Sequence, residues 1–126
     1  MIAISDTKCL DSSAWLSYYF GDSLFVKELV ETGDCLIVTS SLTLFEIKKK
    51  LLKLKKETGP FLYLVKQRGT IIVPAIVIAE HAAQCAVENN LGAMDALIYA
   101  SARLTFAELI TRDNDFRGLE GVQVID

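Results

Sequence analysis

Five short apolar runs, separated by sequence that favours helices, constrain this chain more than any other feature. They occupy residues 2–10, 35–39, 70–73, 107–111 and 122–125. A strand covered on both faces reads as an unbroken apolar run, whereas a half-exposed one alternates. Short buried strands interleaved with helices indicate an α/β domain. Right-handed crossovers then give a three-layer sandwich, a mostly parallel central sheet of four to five strands flanked by helices. The first run has the loosest limits, because Ser5, Asp6 and Lys8 interrupt it.

Between the runs, glycine and proline mark helix ends. Residues 12–20 read as a helix broken by Gly21, and residues 23–32 as a second helix stopped by Gly33. Ser40 and Ser41 offer an N-cap to a long helix over 42–57, in which Leu44, Ile47, Leu51 and Leu54 recur at helical spacing. Gly59-Pro60 is expected to end it. A short helix over 61–68, one over 76–88 and an alanine- and leucine-rich one over 93–104 complete the pattern.

The 126 residues suit one domain spanning the whole chain, and 52% hydrophobic against 23% charged residues is too apolar for a disordered polymer. No run approaches the roughly 18 apolar residues that a membrane span requires, and the N-terminus has no basic leader. A cytoplasmic protein with no membrane association is expected. Cys9, Cys35 and Cys85 are widely spaced, and with His81 the only histidine no zinc pattern arises. Buried, reduced thiols are the simpler account.

Charge is distributed unevenly. Eight of the thirteen basic residues fall between Lys48 and Arg68, where Glu57 is the only acid. The remaining chain holds fifteen acids against five bases, so two surfaces of opposite potential are expected. A basic surface attracts phosphates, and clustered carboxylates repel them unless a cation intervenes.

In open α/β sheets the functional cleft lies beyond the carboxyl ends of the strands. Asp11 follows the first strand, Glu46 lies in the first turns of the helix after the second, Asp95 begins the helix over 93–104, and Asp113 and Asp115 follow the fourth strand. Oxygen ligands without histidine or cysteine favour Mg²⁺ or Mn²⁺, which can activate a water for phosphoryl displacement. Each acid also has a plainer reading. Asp11 can be an N-cap, Glu46 an exposed partner of Lys50, and Asp113-Asn114-Asp115 a turn. Asp95 can answer the helix dipole, yet it is the only charge between Ala93 and Ala102 on an otherwise apolar helix.

Three blocks carrying these acids resemble the PIN-domain family, and within it the VapC-type toxins. Cys9-Leu10-Asp11-Ser12-Ser13-Ala14-Trp15-Leu16 with Tyr18-Tyr19-Phe20-Gly21-Asp22 is similar to the opening motif, Leu91-Gly92-Ala93-Met94-Asp95-Ala96-Leu97-Ile98 to the central block, and Leu109-Ile110-Thr111-Arg112-Asp113-Asn114-Asp115-Phe116 to the closing signature. Glu46 falls where the family places its fourth acid. The resemblance implies a catalytic quartet of Asp11, Glu46, Asp95 and Asp113. It implies metal ligation by Asp11, Asp95, Asp113 and Asp115, with Ser13 and Thr111 as supporting hydroxyls. It further implies Mg²⁺ or Mn²⁺, endoribonuclease activity on RNA, frequent homodimers and inhibition by a small antitoxin. The first strand is longer than the family's usual one, and Ser17 stands where many relatives carry an acid.

Lys48, Lys49, Lys50 and Lys53 can contact substrate, dock an antitoxin or simply solvate a helix face. Trp15, Tyr18, Tyr19 and Phe20 read as core aromatics in preference to base-stacking groups. A phosphoacceptor receiver domain is excluded, since it needs an acidic doublet after strand one and a lysine near the last strands, and no lysine follows Lys66. A non-catalytic RNA-binding or assembly module and a housekeeping RNA-processing nuclease without antitoxin remain as alternatives, and DNA is not excluded as substrate.

Overall fold

A computed structural model describes residues 6–126. The part of the expected first strand before Asp6 lies outside the described residues. The sheet has five strands, all parallel: β1 (Thr7–Leu10), β2 (Leu36–Ser40), β3 (Thr70–Ile72), β4 (Glu108–Thr111) and β5 (Val122–Val124), in spatial order β3-β2-β1-β4-β5. The order reverses beside β1, so the edge of the sheet between β1 and β4 is the switch point at which such folds bind ligands.

Each strand sends alternate side chains to opposite layers, as the pleat requires. Cys9, Val38 and Leu109 pack on one face against α5 (Ile76–Asn89) and α6 (Ala93–Leu104). Leu10, Ile37 and Ile110 pack on the other, against α1 (Ser12–Phe20), α2 (Leu24–Thr32), α3 (Ser41–Lys53) and α4 (Gly59–Arg68). The expected three-layer sandwich is therefore present. Cys9, Cys35 and Cys85 are free and buried in its core. No helix among the described residues is long and apolar enough to cross a membrane.

Local signals set the helix ends. Gly21 (φ 71°) and Gly33 (φ 74°) close α1 and α2 in the left-handed conformation that glycine adopts at least cost. The third helix departs from expectation: it ends at Lys53, and Lys55 turns left-handed at φ 58°. Gly59-Pro60 opens α4 instead of ending α3. A proline in the first helical turn loses no hydrogen bond, because that N–H has no intrahelical partner.

Trp15 is fully buried and its Nε1 donates to Thr39 Oγ1 at 2.7 Å, while the Thr39 hydroxyl donates to the Leu10 carbonyl at 2.7 Å. This chain of polar groups fixes α1 on β1 and β2. Trp15 is thus core, as its sequence context suggests. Tyr18 and Tyr19 pack around Phe61, whereas Phe20 lies 47% exposed at the helix end.

Candidate active site

Three strand-to-helix transitions, after β1, β2 and β4, carry Asp11, Glu46, Asp113 and Asp115, and the first turn of α6 carries Asp95. β1 ends at Leu10, and Asp11 caps α1 by accepting from the Ala14 N–H at 3.0 Å. β2 runs directly into α3, where Ser40 caps the helix through the Leu42 N–H at 3.1 Å and Glu46 follows one turn later. β4 ends at Thr111, and Asp113 caps the short 3₁₀ turn Asn114–Phe116 through the Asp115 N–H at 2.8 Å. The capping reading of Asp11 is correct, and the turn expected at Asp113-Asn114-Asp115 is a short 3₁₀ turn; both coexist with the convergence of acids.

Asp95, Asp113 and Asp115 each place a carboxylate oxygen within 4.8 Å of the others. Asp95 and Asp113 are half-buried and Asp115 is exposed, so the group opens to solvent on one side. Burial pushes the Asp95 carboxyl above the usual aspartate range, and Asp113, Asp115 and Asp11 push it further. Three close carboxylates with no basic side chain among them form a hard, all-oxygen donor set. That set fits a divalent cation of the Mg²⁺ or Mn²⁺ kind.

Asp11 stands behind this group. It is almost fully buried, with Oδ1 accepting from Ser13 Oγ at 2.7 Å and Oδ2 from Thr111 Oγ1 at 2.5 Å. Burial raises its pKa, the hydrogen bonds from Thr111, Ser13 and Ala14 oppose that rise, and Asp113 adds to it. Both hydroxyls also hold the closing loop. Thr111 Oγ1 accepts from the Asp113 N–H at 3.0 Å and Ser13 Oγ from the Arg112 N–H at 2.8 Å.

Glu46 does not pair with Lys50. The ion pairs among the described residues are Lys8–Glu108, Arg103–Glu120 and Arg112–Asp22. Glu46 is half-buried against Ser12; burial raises its pKa most, Ser12 lowers it, Asp11 and Asp95 raise it, and Lys49 lowers it slightly. It therefore faces the carboxylates, and Lys48, Lys49, Lys50 and Lys53 stand exposed on the outer part of α3.

The PIN domain family matches residues 8–122. This chain belongs to the PIN domain family. The same fold recurs in solved structures. The chain is similar to a chain of a toxin–antitoxin complex from Klebsiella pneumoniae, at 28% identity over 93% of this chain and 96% of that one, with a TM-score of 0.77. It is also similar in fold to VapBC2 from Rickettsia felis bound to a promoter DNA fragment, at 17% identity, 95% and 99% coverage and a TM-score of 0.75. VapC20 from Mycobacterium tuberculosis, a sarcin-ricin-loop-cleaving toxin, aligns at 15% identity over 94% and 88% of the two chains with a TM-score of 0.65. A search of curated protein sequences finds no match.

Sequence reading missed the arginine that braces this PIN site. Arg112 Nη1 donates to Ser17 Oγ at 3.0 Å and to Asp22 Oδ1 at 2.9 Å, tying the loop after β4 to α1. Ser17 is buried, and Asp22 supplies a carboxylate to Arg112 from beyond the helix end. The signal was an arginine inside the closing block, with no marker of its partner.

Proposed function

We propose that this PIN domain is a Mg²⁺- or Mn²⁺-dependent endoribonuclease and the toxin of a toxin–antitoxin pair. The observation that carries the reading is the approach of the Asp95, Asp113 and Asp115 carboxylates to within 4.8 Å at the open end of the sheet. An acidic group of this density repels a polyanion unless a cation joins it, so its natural use is to hold one.

Asp95, Asp113 and Asp115 would hold the cation, with Asp11 close enough behind to share its field. A bound cation of this kind supplies an activated water and a counter-charge for the phosphate oxygens of an in-line displacement. Ser13 and Thr111 orient the Asp11 carboxylate by donating to both of its oxygens, and these bonds oppose the rise in its pKa that burial causes. Glu46, at the border between the acids and the lysines, is placed to orient a water or take up a proton, since its raised pKa brings it closer to neutrality. Arg112 fixes the loop that bears Asp113 and Asp115.

The toxin reading draws support from the toxin–antitoxin complex that shares the fold at 28% identity. A small protein antitoxin is the expected partner, and an RNA substrate places the work in the cytoplasm. A homodimer is favoured by α5, whose Ile76, Val77 and Val87 are 77%, 68% and 85% exposed.

The test is cleavage of a mixed RNA pool with and without Mn²⁺ or Mg²⁺, wild type beside Asp95→Asn. Cation-dependent cutting that disappears in Asp95→Asn supports the reading. Equal cutting by both proteins, or none by wild type freed of any co-purifying partner, overturns it.

A further inference from the structure

An exposed aromatic ring beside the carboxylates has no structural task. Phe45 lies on α3 with 60% of its surface exposed, next to helix positions such as Ile47 and Leu51 that are wholly buried. It borders a groove of about 340 Å³ whose α3 wall is Phe45, Glu46, Lys49, Lys50 and Lys53. Leu16 and Met94 line the groove from the other helices, and Ser12 stands beside Glu46. Glu46 joins the groove to the acids, since it lines the groove and feels the charges of Asp11 and Asp95.

We propose that this groove is a single-stranded RNA subsite, in which Phe45 stacks a base while Lys49, Lys50 and Lys53 hold the phosphates of the strand entering the carboxylate site. The identity of the ligand rests on the nuclease reading; the chemistry of the groove is independent of it. Phe45, Lys49 and Lys53 follow one another at four-residue spacing and so share one face of the helix. No acid lies between Ile47 and Lys56 to neutralise them. A lysine face that served only solubility would have no use for an exposed phenylalanine in its midst. Lys49 Nζ sits over one face of the ring, 6.0 Å from its centroid, at the outer limit of a cation–π contact.

Aromatic stacking combined with a basic track is the recognition mode for single strands, because only unpaired bases present their faces. Duplexes keep those faces stacked, so the groove selects unpaired RNA segments. Glu46 marks where the track stops and the reacting phosphate would begin.

The test is the affinity of a fluorescein-labelled single-stranded RNA oligomer in EDTA, where no turnover occurs, as a function of salt. The variants are Phe45→Ala, Phe45→Tyr and Lys49→Gln, with Lys66→Gln on α4 as a charge-matched reference. Phe45→Ala is expected to bind about ten-fold more weakly, and Phe45→Tyr to recover nearly all of that loss. Lys49→Gln should lower the slope of log affinity against log salt by about 0.7. Lys66→Gln should keep the wild-type slope. A blunt-ended duplex of the same length should show no dependence on Phe45. Wild-type affinity in Phe45→Ala, an equal loss on the duplex, or a slope unchanged in Lys49→Gln overturns the subsite. Phe45-dependent binding without cation-dependent cleavage would end the nuclease reading and leave the subsite standing. Cleavage with Phe45-independent binding would do the reverse.

Discussion

The Thr111 hydroxyl donates to Asp11 Oδ2 at 2.5 Å, joining the end of β4 to the end of β1 across a hundred residues of chain. Both residues are buried, so the carboxylate has no water to replace this donor. Thr111→Val keeps the shape and removes the proton. The variant is expected to lose about 2 kcal/mol of stability at neutral pH, the typical cost of an unpaired buried acceptor. Since the lost bond favoured ionised Asp11, the penalty should shrink once that carboxyl is protonated. Urea denaturation at pH 4 and pH 8 checks this; an equal penalty at both would refute it.

Asp11, Glu46 and Asp95 all have pKa values raised above their ordinary 3.8, 4.5 and 3.8, with burial the largest cause. A carboxyl raised in the folded state favours folding below its unfolded pKa. That contribution is lost as pH rises through the folded value. Without a cation the site should therefore weaken the fold progressively above about pH 4. Mn²⁺ should restore what ionisation removes. Thermal unfolding in Mn²⁺ against EDTA should show a larger increase in Tm at pH 7.5 than at pH 4.5. The same increase at both pH values, or none, would contradict cation binding by these carboxylates.

The strands were legible because both faces of the sheet are covered, which leaves Leu36–Ser40 and Glu108–Thr111 as apolar runs between helices. The end of α3 was not, since Lys55 adopts φ 58° with no glycine to announce it. Asp11 and Asp113 were legible as acids leaving the carboxyl ends of β1 and β4, because each stands within two residues of its strand. Sequence could not settle where Glu46 points. A helical wheel sets Glu46 beside Lys50, whereas packing against α1 turns it towards Ser12 and the acids. The Arg112 brace was illegible for a similar reason: its partners Ser17 and Asp22 lie some ninety residues earlier, and nothing in the sequence pairs the opening block with an arginine of the closing one.

That brace separates stability from activity. The Arg112–Asp22 pair is partly exposed at both ends, 37% and 49%, and such pairs contribute about 0.5 kcal/mol. Arg112→Gln should thus fold with nearly unchanged stability. It should nonetheless cleave RNA about ten-fold more slowly, because Asp113 and Asp115 ride on the loop that Arg112 holds and small displacements of reacting groups are costly. Single-turnover rates beside thermal melts would decide it: a loss of rate matched by a comparable loss of stability would assign Arg112 a purely structural role.

Thr43 offers a converse case, a polar group whose removal should help. It is wholly buried in α3, and its Oγ1 is the buried side-chain atom among the described residues that finds no hydrogen-bond partner. Burying a hydroxyl without a partner costs about 1 kcal/mol or more, whereas valine has nearly the same shape, a similar helix propensity and no polar atom to satisfy. Thr43→Val should therefore raise the urea midpoint by the equivalent of about 1 kcal/mol with an unchanged m-value. The residue lies three positions before Glu46 on the helix that borders the site, so the same variant reports on function. If stability rises and cleavage is untouched, the hydroxyl is only a packing defect. A fall in stability would mean that Oγ1 has a partner in solution and that the prediction is wrong.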